Sequence, residues 1–324
     1  MNNISSIILS IFLLFISTFL FAGNKKSVLS KTIKSMKAGE WKKFESKGFS
    51  KELLYSSNKT ILPYANKAGW DAKTQTIHFI GMCHMTPPMK HITYSSKSNS
   101  WKAQPPEDFY KTSKWFHAYD NSTAGKGIYY HNFWGSSVWQ FDIAKKTWAQ
   151  LPKVIKKGSH GASLSFFPEM GTKGSLIHLF GRNGIQIFDL TTKKWRLSKS
   201  NPTTIGPYHN VSMYNAKRKT VILGGGNGCN FLYELNPKGQ LTQTKEAPFP
   251  IGVNSSTFVI DPASGDLLIF SKKLGFYYLN LTKIDSDWKK IEGKKGLSGV
   301  VISLENLGAT MWFNLSGTFL YKHK

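Results

Sequence analysis

The chain has 324 residues and a formal net charge of +25, with 43 Lys and Arg against 18 Asp and Glu. Aromatic residues make up 14% and charged residues 19%, which excludes a disordered chain and points to a folded one with a sizeable core. So large a positive excess favours anionic partners.

The first 22 residues carry no charged side chain, and residues 8–21 are almost wholly apolar. That run is shorter than the roughly 20 residues needed to span a bilayer. With a small residue at Ala22, it reads as a cleaved signal peptide over 1–22, although no Lys or Arg precedes it. The expected mature protein is secreted or periplasmic, with a linker over 23–38 and no stable membrane span. Outside the cytoplasm its anionic partner would be an acidic or sulfated polysaccharide or an envelope, rather than nucleic acid. The alternative is that the lysines are solvated surface.

From residue 39 onward the chain repeats. The segments ITYSSKSNSW, WQFDIAKKTW and IQIFDLTTKKW place Tyr94, Phe141 and Phe188 at a spacing of 47. Their tryptophans, Trp101, Trp148 and Trp195, keep the same spacing. Tyr233, Tyr278 and Tyr321 continue the series, with Leu241 in one tryptophan slot and Trp288 in another. Each copy reads as four short strands, with turns such as DPASG between them. The sixth copy ends without its tryptophan strand, and GEWKKFES, residues 39–46, matches what is missing. The expectation is an all-β, six-bladed β-propeller over 39–324, closed by an N-terminal strand. Residues 47–69 leave room for an irregular extra strand.

The aromatic, short turn, Trp pattern resembles the kelch-type propellers, including the central domain of the galactose-oxidase-like group. The kelch double glycine is kept best in LGGGNG, residues 223–228. No Gly-His and Trp-Asp pairing recurs, which puts WD40 propellers second.

In this architecture the loops leading into strand 1 and those joining strands 2 and 3 open at the same end. Those segments hold His84, His91, His117, His131, His160 and His209, six of the nine histidines. His117 and His131 are expected at the same end of one hairpin, pointing to the mouth, with His160 and His209 at matching positions in the next two blades. Arg182, flanked by short turns, suits bidentate contact with a carboxylate or sulfate. Trp115 and Trp134 are candidate sugar platforms, and Asn227 a further contact. Each also has a purely structural reading as loop packing. No cofactor is expected. In CHMTPPMKH, Cys83, His84 and His91 are acceptable ligands for a divalent metal, although their spacing fits no signature. Cys83 and Cys229 fall three blades apart and are expected as free thiols.

Three classes of function follow. One is a polysaccharide lyase, with Arg182 neutralising a uronate carboxylate, His117 or His131 as base, and Tyr208 or His209 as acid. A basic, exported propeller with such residues is similar to the propeller-type ulvan lyases. Another is a non-catalytic propeller that binds glycan or envelope. A small-sugar mutarotase, as in the kelch-type periplasmic sialic acid enzymes, is a third possibility.

Overall fold

The computed structural model describes residues 27–323 except 64, 66, 84–85, 112–119, 124–126, 134–136, 157–161, 253–255, 272, 284 and 292–298. The expected signal peptide and its cleavage site lie outside these. No helix among the described residues is long and apolar enough to cross a membrane.

Alternating apolar residues between Asp- and Gly-rich turns give six four-stranded antiparallel sheets. Five are simple meanders in chain order. Blade 1 comprises Gly69–Asp71, Thr76–Cys83, Thr86–Ser95 and Ser100–Ala103. Blade 2 comprises Asp120–Thr123, Ile128–Phe133, Ser137–Asp142 and Thr147–Gln150. Blade 3 comprises Ser163–Phe167, Ser175–Leu179, Ile185–Asp189 and Lys194–Leu197. Blade 4 comprises Asn210–Asn215, Thr220–Gly225, Leu232–Leu235 and Leu241–Gln243. Blade 5 comprises Thr257–Ile260, Leu267–Ser271, Gly275–Leu279 and Lys289–Lys290. Blade 6 takes Val300–Leu304, Ala309–Asn314 and Gly317–Lys322 from the C-terminal end of the chain and Trp41–Phe44 from the N-terminal end.

The six first strands form a closed circle, each touching the next and the last touching the first. The expected six-bladed propeller, closed by the N-terminal strand, is therefore the architecture. Residues 47–69 add only a two-stranded hairpin, Tyr55–Ser56 with Lys59–Thr60. The segment expected as a linker carries a helix, Val28–Ser35. Ser27 caps its first turn, and Leu29 and Ile33 pack into the core shared by blades 1 and 6.

The repeated aromatic–tryptophan pair is a cross-strand contact in blades 1, 2 and 3. Ring centroids are 5.3 Å apart for Tyr94–Trp101, 4.9 Å for Phe141–Trp148 and 5.0 Å for Phe188–Trp195. In blade 6 the tryptophan slot is filled by Trp41, opposite Tyr321 and 4.9 Å from its ring. In blades 2 and 3 an aspartate before the turn organises it. Asp142 accepts from the amides of Ala144 and Lys145, and Asp189 from those of Thr191 and Thr192.

Lys67 lies beside the first strand of blade 6, in a parallel bridge with Val301. Its buried ammonium reaches the first strands of blades 3 and 4. There it donates to Leu164 O at 2.7 Å, Ser212 O at 2.6 Å and Ser165 Oγ at 3.3 Å. One side chain thus ties three blades together across the axis of the ring.

Candidate functional site

The loop leading into blade 4, residues 201–209, is pinned at several points. Asn201 Oδ1 accepts from the amide of Ile185. The Tyr233 hydroxyl accepts from the amide of Thr204 at 2.9 Å and lies 3.1 Å from Thr203 Oγ1. The amide of Gly206 donates to Gly225 O, and that of Asn227 to Tyr208 O, both at 2.9 Å. This backbone-on-backbone packing requires glycine. A Cβ on Gly206 would sit 2.5 Å from the carbonyl carbon of Gly226. Gly226 itself has φ of +102° and no space for a side chain beside Tyr208 O. The LGGGNG run is therefore what seats the loop carrying Tyr208 and His209.

Four of the candidate residues lie in two groups along this shoulder between blades 3 and 4: Arg182 beside residues 202–205, and Tyr208 with His209 and Asn227 farther on. Arg182 is exposed on a one-turn 3-10 helix, Gly181–Asn183. With Pro202, Thr203, Thr204 and Ile205 it lines an open cleft of about 320 Å³. Farther along the same loop Tyr208 is 41% exposed. His209 adopts φ of +60°, an uncommon conformation for a histidine that its surroundings hold in place. Its Nδ1 lies 2.8 Å from Asn227 Oδ1. With that oxygen as acceptor, Nδ1 carries the proton and Nε2 is the basic nitrogen. Chemically, the shoulder offers a planar cation, hydroxyls, an exposed phenol and an oriented imidazole.

Other expectations are corrected. His131 does not point to the mouth, because the strand Ile128–Phe133 runs past it. The period-2 alternation places it on the same side as Tyr129, and it is 0% exposed. Neither of its ring nitrogens has a hydrogen-bond partner. His91 is not in a loop either. It lies within strand Thr86–Ser95, opposite Ile80 and fully buried. Cys83 ends the preceding strand, opposite Thr86. Both cysteines are free thiols. No group of three His, Cys, Asp or Glu that could hold a metal occurs among the described residues. His84, His117, His160, Trp115 and Trp134 lie outside the described residues.

Sequence reasoning left His78 aside as a mid-strand residue. It forms a buried cluster with His91 and His131 at the seam of blades 1 and 2. His78 Nδ1 is 3.1 Å from His91 Nε2, and its Nε2 is 3.0 Å from Thr76 Oγ1. Both rings stack on Tyr129. Burial lowers the pKa of His78 to about 4 and that of His131 to about 3. For His91, burial and then its two histidine neighbours push it well below the ordinary value. These rings are neutral packing elements, closed to a polymer at the surface.

No protein family and no curated protein matches the chain in sequence. Solved structures do match in shape. A fungal alcohol oxidase of the AA5 family, solved with copper, gives a TM-score of 0.49 at 12% identity over 81% of this chain. The extracellular domain of a B. thetaiotaomicron protein gives 0.46 at 13% identity over 82%. The chain spans 58% and 33% of their lengths, respectively. An auxiliary nutrient binding protein from Bacteroides ovatus gives 0.58 at 11% identity, over 86% of this chain and 75% of that one. At such identities the likeness is one of fold.

Proposed function

We propose that this protein is an exported, kelch-like propeller that binds acidic polysaccharide on the shoulder between blades 3 and 4. The observation that carries this reading is the exposed Arg182 in a cleft with Thr203 and Thr204 of one pinned loop, which farther along carries exposed Tyr208 and the His209 held by Asn227, in a chain of net charge +25. An exposed guanidinium can clamp a carboxylate or sulfate through two parallel hydrogen bonds. The phenol and the threonine hydroxyls suit sugar hydroxyls and ring faces. Binding to polygalacturonate, alginate, heparin and neutral dextran tests it. Affinity for the anionic polymers should fall as salt is raised through the range where the Debye length drops from about 10 Å to about 3 Å. Arg182→Ala should weaken it by about tenfold. Equal retention of dextran would refute the reading.

A second reading, cleavage rather than binding, is favoured by one detail. Asn227 holds the His209 ring so that Nε2 is left as the basic nitrogen, with Tyr208 beside it. A base, a phenolic acid and a carboxylate neutraliser are what β-elimination from a uronate requires. Ultraviolet absorbance from unsaturated product, lost in His209→Ala, would select a lyase. Silence across the anionic polymers leaves the binding module.

A further inference from the structure

After the closing strand Trp41–Phe44, the chain crosses from blade 6 to the outside of blade 1. Lys47 bridges Ser100, and Gly48 lies so close to Trp101 O that a Cβ would meet it at 2.4 Å. Phe49 packs edge-on against Trp101 and Phe313. The hairpin beyond is held to blade 1 by Ser56 Oγ donating to Pro88 O at 3.0 Å and Lys90 Nζ donating to Tyr55 O at 2.9 Å. Between this strap and the turn at 315–318 of blade 6 a groove of about 380 Å³ remains open.

The groove is built of three kinds of surface. Phe44, Phe49 and Tyr55 supply aromatic walls, and Leu315, 56% exposed, stands on the opposite lip. Lys43 and Lys51 are its cationic side chains. Lys51 Nζ sits 5.1 Å above the Tyr55 ring, while Lys43 is paired with Glu45, an exposed carboxylate that also lines the groove, so the positive charge offered to an anion is that of Lys51. Hydroxyls come from Ser46, Ser50, Ser316 and Thr318. The Thr318 side chain is 2% exposed, and neither its Oγ1 nor Ser46 Oγ has a hydrogen-bond partner. Buried hydroxyls are normally satisfied, so these two unpaired oxygens mark the groove wall as a place where a polar guest could bond.

We infer that this groove at the seam of blades 6 and 1 is a second subsite, which takes one acidic sugar residue. An aromatic wall suits the apolar face of a pyranose, Lys51 suits its carboxylate or sulfate, and the hydroxyls suit its own hydroxyls. The choice of an acidic glycan rests on the function proposed above. The groove lies on different blades from the shoulder and is testable apart from it.

The test is isothermal titration of the full-length protein with a polygalacturonate hexamer. Three variants are compared: Lys51→Glu, Tyr55→Ala and Arg182→Ala. Lys51 is exposed, so its reversal leaves the core intact, and an unchanged melting temperature checks this. The expected result is two sites, one weakened about tenfold or more by Lys51→Glu and by Tyr55→Ala but not by Arg182→Ala. Binding lost only in the groove variants supports the groove and overturns the shoulder. A single site that disappears in Arg182→Ala and ignores both groove variants overturns the groove while keeping the proposed function. No binding by the wild type overturns both.

Discussion

At the scale of single residues, the buried histidine cluster has a consequence for pH. In the unfolded chain, His78, His91 and His131 protonate near 6.5, whereas in the fold burial holds all three pKa values far lower. Above pH 6.5 both states are neutral and the cluster makes no pH-dependent contribution. Below it the unfolded chain takes up protons that the fold refuses, so stability falls as pH drops toward about 4. Each refused proton costs about 1.4 kcal/mol per pH unit. Calorimetry should show the melting temperature falling between pH 6.5 and 4.5. His131→Phe, which removes two unpartnered ring nitrogens from the seam, should flatten that fall. An unchanged slope in the variant would overturn this account. The same residue shows where sequence reading stops. His131 is visible as a histidine near a hairpin end, but its strand continues to Phe133 and its environment is made by the neighbouring blade. Neither fact is local. His209, by contrast, lies on the loop that the glycines of 224–226 seat, and that loop's place before the first strand of blade 4 is legible in the repeat.

At the scale of elements, the aromatic and its tryptophan partner were the legible unit. Their spacing identified five blades from within the chain, and the WKKF of residues 41–44 identified the missing strand of the sixth. The match weakens where turn length changes. In blade 4 the turn around Asn236–Gln240 shifts the outer strand, so that Gln243 and not Leu241 lies opposite Tyr233. In blade 5, Lys289 faces Tyr278 and Trp288 precedes the strand, donating from Nε1 to Lys245 O. The two-residue shift in blade 4 changes the partner on the same face, and the one-residue shift in blade 5 moves the side chain to the other face, neither of which spacing alone can detect. Trp41 is the clearest element-scale test. Its ring lies 4.8 Å from Trp312 and also contacts Phe270 and Phe276 of blade 5. Trp41→Ala should destabilise the protein by about 3 kcal/mol, read as a shift of the urea midpoint. Trp41→Phe should recover most of that loss, because a ring still fills the slot.

At the scale of the whole molecule, Lys67 links blades that are far apart in sequence. Its three donors satisfy two backbone carbonyls and a serine hydroxyl within the ring, and Ser165 Oγ is itself 2.9 Å from Ser212 Oγ. Lys67→Met keeps the volume of the stem but removes every donor. It should lower stability by about 2 to 4 kcal/mol, measured by chemical denaturation, while leaving the proposed glycan binding at the blade 3–4 shoulder unaltered. A variant as stable as the wild type would show that the ring does not depend on this tether.

The last joint of the ring pairs residue 41 with residue 321, so it forms only when the two ends of the chain meet. Every other blade assembles from neighbouring sequence, whereas this one carries the full entropy of a very long loop. Until Trp41–Phe44 docks, the outer edge of strand Gly317–Lys322 is uncovered. At high concentration the WKKF segment of another copy can occupy that edge as readily as the chain's own. Refolding should thus become slower and yield more exchanged dimer as protein concentration rises, a cost inherent in closing a circle with a borrowed strand.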